Sequence, residues 1–457
     1  MTGNSSVNQL NLLPFFFVTL YSQSICLMRS AFIVFLLIFS AMTACRKNAD
    51  ITGKIYQMDQ IQVPDAFTWE TTRKVFLDLG VTYSGTASPF YARIDIYDAD
   101  PTSGGDLIAS GGLRQGNPYQ AVVTLPVILN KVYLLFRPVQ GNIQMAFLNV
   151  EDTITMIFTN SAVTVAPDDS DSDQVPDFLD DYPGNSALSF ISYYPNIKDE
   201  GTFLVEDIWP YKGDYDLNDL VVRFRYMLIT NRYNSVDRIL GRFYIQAVGA
   251  GLRDGFGLQF DDITPDQVSG VSGMSLQQGY IVTDPNGLES NQEKAVVIIF
   301  DKTDNILHNP MQGSPFFNTW PGIQPGTSDT LMIDIRFSQP ISLSVMIPPP
   351  FNLFLIQNMQ RSIEIHLPNH PPTTMANTSL FSTGDDGSLP LTGRYYLSKI
   401  NIPWVLQIPE AFMHTYEQVE LSEGYLKFDK WATSGGKDFP DWYQDKYGYR
   451  NPLKIYH

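Results

Sequence analysis

Asp169, Asp171, Asp173, Asp177 and Asp180 occupy positions 1, 3, 5, 9 and 12 of a twelve-residue run inside DDSDSDQVPDFLDDYP, residues 168–183. At that spacing a tight turn points alternate side-chain oxygens at one centre, and an acidic side chain returns at position 12. Seven aspartates in sixteen residues repel one another unless a cation stands among them. Hard carboxylate oxygens suit Ca2+ and not a soft metal. The run is therefore expected to be a calcium loop with these five residues as ligands. The plainer alternative is a solvated acidic linker.

A second acidic set follows in LVEDIWPYKGDYDLNDLVVRF. Glu206 and Asp207 close one apolar segment, and Asp214, Asp216, Asn218 and Asp219 fill a loop led by Gly213 just before a strand. Alternation places Asp214, Asp216 and Asn218 on one side, an oxygen cluster that again suits Ca2+. The alternative is a set of Asx-turns satisfied by backbone N–H groups. A third candidate, Asp385 and Asp386 in STGDDGS, reads as a simple turn.

The same residues dominate the electrostatics. Between Asp168 and Asp219 there are fourteen Asp or Glu against Lys198 and Lys212, a net −12 out of −18 for the 457-residue chain. Phosphate binding needs a basic face, so nucleic acid is excluded as a partner. Electrostatic docking to an anionic membrane surface is disfavoured on the same ground.

Signs of catalysis are sparse. A hydrolase needs an activated nucleophile or an activated water. The histidines are His308, His366, His370, His414 and His457, and Pro368 between His366 and His370 rules out a helical zinc pair there. No GxSxG, HExxH or phosphate-binding loop occurs. The chain is read as not an enzyme, with no catalytic residues. A glycan-active hydrolase using paired carboxylates ranks third among the functional readings. Trp209, Tyr211, Trp404, Trp431, Trp442 and Tyr443 raise a further idea, since exposed aromatics beside calcium hold glycans in many β-sandwiches. Core packing is the ordinary alternative.

The elements that must position these residues read as strands. Val75, Leu77, Leu79 and Val81 alternate, as do Ile94 and Ile96. AVVTLPVIL, KVYLLFRPV and TITMIFTN add further strands between turn clusters, a spacing typical of a sandwich. LVVRFRYMLI puts Val222, Phe224, Tyr226 and Leu228 on one face and Arg223 and Arg225 on the other. RFYIQAV, KAVVIIF, DTLMIDIRF and RSIEIHL follow. Near the C-terminus, Leu421, Tyr425, Phe428 and Ala432 fall at helical spacing, with Gly435 as the stop.

The expected fold class is thus mainly β: two β-sandwich-like domains joined by a calcium-binding loop, with a short C-terminal helical segment. The boundaries are 59–165 for the first domain, 166–183 for the loop and 184–457 for the second.

Upstream, MRSAFIVFLLIFSAMTAC carries Arg29, an apolar run and small residues ending at Cys45, the pattern of an export signal. Its apolar run is too short for a comfortable membrane span. Residues 28–44 are read as the signal, 45–58 as a tether and 1–27 as an upstream extension. Met42-Thr43-Ala44-Cys45 resembles a bacterial lipobox, which implies lipidation of Cys45 and attachment to the membrane through that anchor. Cys26 and Cys45 are the only cysteines. The chain beyond Cys45 therefore forms no intramolecular disulfide, and bound metal is a common substitute.

Two resemblances sharpen the reading. The 169–180 run resembles a thrombospondin type 3 repeat, DxDxDGxxDxxD, whose loops are ordered by calcium. Gln174 departs from the Gly of that pattern, and an EF-hand would carry Gly there too and Glu in place of Asp180. The segments VPDFLDDYP, GTFLVEDIWPYKGDYDLNDLVVRFRY, AVGAGLRDGFGLQF, HLPNHPPTTMANTSLFSTGDDGS, GRYYLSKINIPWVLQIP and WATSGGKDFPDWY resemble the LruC-domain lipoproteins of Bacteroidetes-type bacteria, over about 165–457. The earlier VPDAFTWETTRKVFLDL and IYDADPTSGGDLIASG match the β-domain that often precedes it. The resemblance implies an exported, outer-membrane lipoprotein and supplies no substrate. The functional expectation is a cell-envelope protein with calcium-stabilised β-domains in a structural, adhesive or binding role. A calcium-dependent carbohydrate-binding accessory protein is the alternative, with a glycan or an envelope protein as partner.

Overall fold

The computed structural model describes residues 57–85, 88–311 and 313–457. The export signal, Cys45 and the upstream extension lie outside the described residues. The architecture is mainly β, with several sheets and two short helices near the C-terminus.

The first sandwich is built from residues 72–161. One sheet orders Tyr119–Pro126, Thr72–Ser84 and Thr153–Ser161, the last pair parallel. The other orders Leu107–Leu113, Ala92–Tyr97, Lys131–Arg137 and Gln144–Asn149. The alternation in the sequence is what closes it. Val75, Leu77, Leu79 and Val81 are buried from one sheet, Ile94, Ile96, Val132 and Leu134 from the other. Phe136 stacks on Phe158 across the gap, ring centroids 4.8 Å apart.

The larger half has a seven-stranded sheet. Its path runs Val268–Ser272, Leu331–Ser342, Ser235–Ala247, Leu220–Thr230, Gly201–Val205 and Val405–Ile408, with Phe190–Tyr194 pairing on Leu220–Thr230. A four-stranded sheet, Val296–Phe300, Gly255–Gln259, Asn352–Ile356 and Glu364–His366, packs on one face. Phe256 of that sheet meets Phe203 edge-on at 5.2 Å.

The opposite face is covered as well. Leu204, Val221, Leu406 and Ile408 share a core with Phe428, Trp431 and Trp442 of the C-terminal layer. Burial on both faces is why Gly201–Val205 and Val405–Ile408 are buried at every position. The C-terminal helical pattern breaks into Leu421–Gly424 and Phe428–Thr433, and Gly435 follows at φ 66°. A left-handed backbone there ends the helix at little cost only for glycine.

Two seams join these layers. Along one, Asn234 acts as a surrogate strand: its Nδ2 donates to Gly112 O and its Oδ1 accepts from Gly112 N, both at 2.8 Å. Residues 58–69 precede the first sandwich yet pack with the C-terminal layer, where Trp69 Nε1 donates to Asn401 O at 2.8 Å.

Candidate metal centres

The 168–183 loop is wedged along the seam between the first sandwich and the seven-stranded sheet. On one side Tyr91 N donates to Gln174 O at 2.8 Å and Arg93 Nη1 to Leu179 O at 3.1 Å. On the other, Arg232 Nη1 donates to Asp173 O at 2.5 Å and Ser189 Oγ to Asp173 Oδ2 at 2.6 Å. Val175 and Leu179 bury against Tyr91, Val139 and Phe190, while Phe178 stays exposed.

Gln174 fills the position where the DxDxDGxxDxxD pattern has glycine, and it takes the left-handed conformation itself, at φ 75°. Its N–H donates to Asp169 Oδ2 at 3.0 Å, and its side-chain Oε1 accepts from Arg114 Nη1 at 3.0 Å.

Asp169, Asp171 and Asp173 converge, each offering an oxygen within 4.8 Å of the others. Asp180 joins them. Its Oδ1 accepts from Tyr182 N at 2.6 Å, while its Oδ2 and Asp171 Oδ2 are buried without a hydrogen-bond partner. Burial, reinforced by the charges of Asp173 and Asp171, pushes the Asp180 carboxyl up to about 7. Asp177 stands apart: both its oxygens accept from Ser170, at 2.7 and 2.6 Å, and these bonds hold it below the usual range.

The second set forms a deeper centre at one end of the seven-stranded sheet. Leu220 pairs with Val205 and Val221 with Ala247. That register brings the segments ending at Glu206–Asp207, starting at Asp219 and leaving through Gly249 to one place. Tyr215 and Leu217, left-handed at φ 62° and 54°, bury their side chains in the C-terminal layer. The intervening acids are thereby left to the centre. Oxygens of Glu206, Asp214 and Asp216 lie within 4.8 Å of one another. Glu206 Oε1 accepts from Leu217 N at 2.8 Å, Asp219 Oδ2 from Asp207 N at 2.8 Å, and Asp216 Oδ2 from Gln418 N at 2.8 Å. Asn218 Nδ2 donates to Thr415 O at 3.1 Å, so its Oδ1 faces inward.

Two further carboxylates belong to this centre: Asp254 at 0 % exposure and Glu417. Asp254 sets its carboxyl against that of Asp207. A side chain at Gly213 would collide with Glu206 Oε2, and one at Gly249 with Asn218 Oδ1 and Glu417 Oε2.

Burial is the main cause of raised carboxyl values throughout, with neighbouring carboxylates adding to it. Asp216 rises to about 9, Asp207 to about 8, and Asp254 and Glu417 to about 7, while Glu206 and Asp219 rise well above the ordinary range. The adjacent cations Lys212 and Arg253 pair elsewhere, with Asp59 at 3.7 Å and Asp304 at 3.0 Å.

Among the described residues, the buried carboxylate oxygens without any hydrogen-bond partner sit on Asp171, Asp180, Glu206, Asp207, Asp254 and Glu417. All six belong to these two centres. Buried acids elsewhere are saturated. Asp386 accepts from Trp209 Nε1, Ser388 Oγ, Ser382 N and Ser388 N. Asp95 is held by Arg93, Arg137 and Ser110. Glu289 and Glu364 close on Arg361. Leaving a buried polar oxygen unpaired costs about 1–3 kcal/mol, more when it is charged. Six such oxygens in two places, with hard-oxygen chemistry, fit bound divalent cations.

The aromatic set is placed differently from a glycan platform. Trp209, Trp404, Trp431, Trp442 and Tyr443 are buried, and only Tyr211 is exposed, at 62 %. A cavity of about 330 Å³ lies between Thr68–Lys74, Gln259–Asp262 and the Phe351–Asn352 turn. Its Asp261 is committed to Gln259 Nε2 at 2.9 Å and Asn352 Nδ2 at 3.0 Å, beside His370 Nδ1 at 3.4 Å. Among the described residues no helix is long and apolar enough to cross a membrane.

Residues 234–443 match a family model described as a domain of unknown function (DUF4842). No curated protein matches the chain. Among solved structures, the fold is similar to the crystal structure of a Bacteroides ovatus protein described as a lipoprotein. The identity is 16 %, the TM-score 0.51, and the match covers 80 % of this chain and 98 % of that one. At that identity the likeness is one of fold.

Proposed function

We propose that the chain is an exported cell-envelope lipoprotein of the LruC type, anchored through Cys45, whose β-layers are ordered by calcium and serve a structural or adhesive role. The observation that carries this reading is the confinement, among the described residues, of partnerless buried carboxylate oxygens to two clusters. The signal pattern and lipobox-like MTAC, and the fold shared with a Bacteroides ovatus protein described as a lipoprotein, support the envelope assignment.

Asp169, Asp171, Asp173 and Asp180 would hold calcium in the loop. Glu206, Asp207, Asp214, Asp216, Asn218 and Asp219 would hold it in the deeper centre. Bound calcium supplies positive charge that lets these groups ionise inside the fold. The chain's own contribution is to bring the oxygens together by strand register and left-handed turns. Nothing in the role asks for a nucleophile or a general acid. Carboxylates given over to a cation are poor proton donors.

The test is calcium titration into the demetallated chain by calorimetry, with the unfolding midpoint followed alongside. Extracellular modules bind calcium at roughly 10⁻⁴–10⁻³ M, and a similar range is expected here. A ligand at about 100 times its dissociation constant stabilises by about 2.7 kcal/mol per site. Asp173→Ala should weaken calcium binding and folding together, because the site and its local order form as one. Wild-type affinity and an unchanged midpoint in that variant would remove the loop from the proposal.

A further inference from the structure

The deeper centre carries more negative charge than one divalent cation balances. Glu206, Asp207, Asp214, Asp216, Asp219, Asp254 and Glu417 supply seven carboxyl groups, and the cations next to them in sequence are paired elsewhere. Acidic crowding alone would not define a site. Here a second observation points inward: Glu206 Oε2, Asp207 Oδ2, Asn218 Oδ1 and Asp254 Oδ2 have no hydrogen-bond partner, and their residues are 0–1 % exposed.

The oxygens fall into two poles. Glu206, Asp214 and Asp216 converge at one. Asp207 and Asp254 set their carboxyls against each other at the other, where Asp254 Oδ1 accepts from Asn358 N at 2.7 Å and the Oδ2 of each is left without a hydrogen-bond partner. Asp219 Oδ2 accepts the Asp207 N–H at 2.8 Å, which sets its carboxylate at the second pole. Glu417 and Asn218 bring their free oxygens to the same spot beside Gly249, where no side chain could fit.

Resting on the calcium reading above, we infer that this centre binds two divalent cations, one at the Glu206–Asp214–Asp216 pole and one at the Asp207–Asp254 pole, with Asp219 joining the second and Asp254 and Glu417 as ligands from distant segments. Two ions balance four of seven negative charges, where one balances two. The pair would also knot four stretches of chain that are far apart in sequence: 206–207, 214–219, 249–254 and 417. Glu417 comes from the C-terminal layer, so the ions would fasten that layer to the end of the seven-stranded sheet.

The experiment counts calcium ions on the full chain by native mass spectrometry and equilibrium dialysis, in wild type and in the loop variant Asp173→Asn. The loop variant should retain two tightly held ions. Asp254→Asn made in that background should lose one of the two and keep the other. Glu417→Gln should weaken calcium binding about tenfold or more. Asp254→Glu, which keeps the charge, guards against a variant that simply misfolds and should retain both ions. A single ion in the loop variant, or two ions held with unchanged affinity in the Asp254→Asn and Glu417→Gln variants, overturns this inference and leaves the calcium reading standing. No calcium bound by the wild type overturns both.

Discussion

Raising the pH from 7 to 8 should destabilise the metal-free protein and leave the calcium-loaded protein almost unchanged. Carboxyls in an unfolded chain titrate near 4 and are fully ionised at pH 7. In the folded metal-free state, burial and mutual repulsion hold Glu206 and Asp219 well above the ordinary range and Asp216 at about 9. The folded state therefore binds more protons than the unfolded state, and stability falls as pH rises through this window. Counting only Asp216, one extra proton gives a slope of about 1.4 kcal/mol per pH unit. For a unit of about 400 residues, the unfolding entropy is about 0.8 kcal/mol per kelvin, so the midpoint should drop by about 2 °C. The window is chosen with care. Buried His366 and His414, held neutral with His414 at about 4, gain protons on unfolding below about pH 6.5 and act with the opposite sign there. Calcium binding requires ionised ligands and expels those protons, which flattens the slope. The assay is scanning calorimetry at pH 7 and pH 8, after dialysis against chelator and again in saturating calcium. A metal-free midpoint that stays level or climbs between these values would refute the reasoning.

Two further outcomes follow from the packing. Gly249→Ala should lower calcium affinity at the deeper centre by about tenfold, since its new carbon would displace Asn218 Oδ1 and Glu417 Oε2; titration of the folded variant checks it, and wild-type affinity counts against the placement of those two groups. Arg361→Met should cost about 3–5 kcal/mol in denaturant unfolding whether or not calcium is present, because it strands buried Glu289 and Glu364 without their cation. A loss below about 1 kcal/mol would mean that these acids find other partners.

The sequence shows the strands plainly because period-2 burial leaves a direct trace, as in Val75, Leu77, Leu79 and Val81. The convergence of Asp169, Asp171 and Asp173 is legible for a similar reason: a local turn sets its side chains at fixed offsets. Asp214, Asp216 and Asn218 show through because Tyr215 and Leu217 between them face a core. Asp254 and Glu417 are invisible at this level. Each reaches the centre through pairing between strands or layers distant in sequence, and no offset encodes that. Asp254, between Arg253 and Gly255 at the head of a strand, carries a faint signal; Glu417 carries none. The tryptophans mislead in the other direction, since a spacing that leaves an aromatic near an acidic loop says nothing about which way its ring points. Trp209 lies inside because its Nε1–H satisfies Asp386, a partner 177 residues away.

The two centres occupy the places where layers meet and nothing covalent holds them. Cysteine occurs only at positions 26 and 45, so the folded layers have no thiol with which to bridge a seam. Hydrophobic burial supplies most of the adhesion there, but it is non-directional and fixes register weakly. A cluster of aligned carboxylates is the opposite: repulsive by itself, and highly directional once a cation is shared. At the loop, the carboxylates of Asp173 and Asp180 come from the same stretch that buries Val175 and Leu179 against Tyr91 and Phe190, so bound calcium would set the pose in which that apolar contact forms. At the deeper centre the same logic runs between the sheet end and the C-terminal layer. On the calcium reading, a chain built this way is fully ordered only where calcium is plentiful.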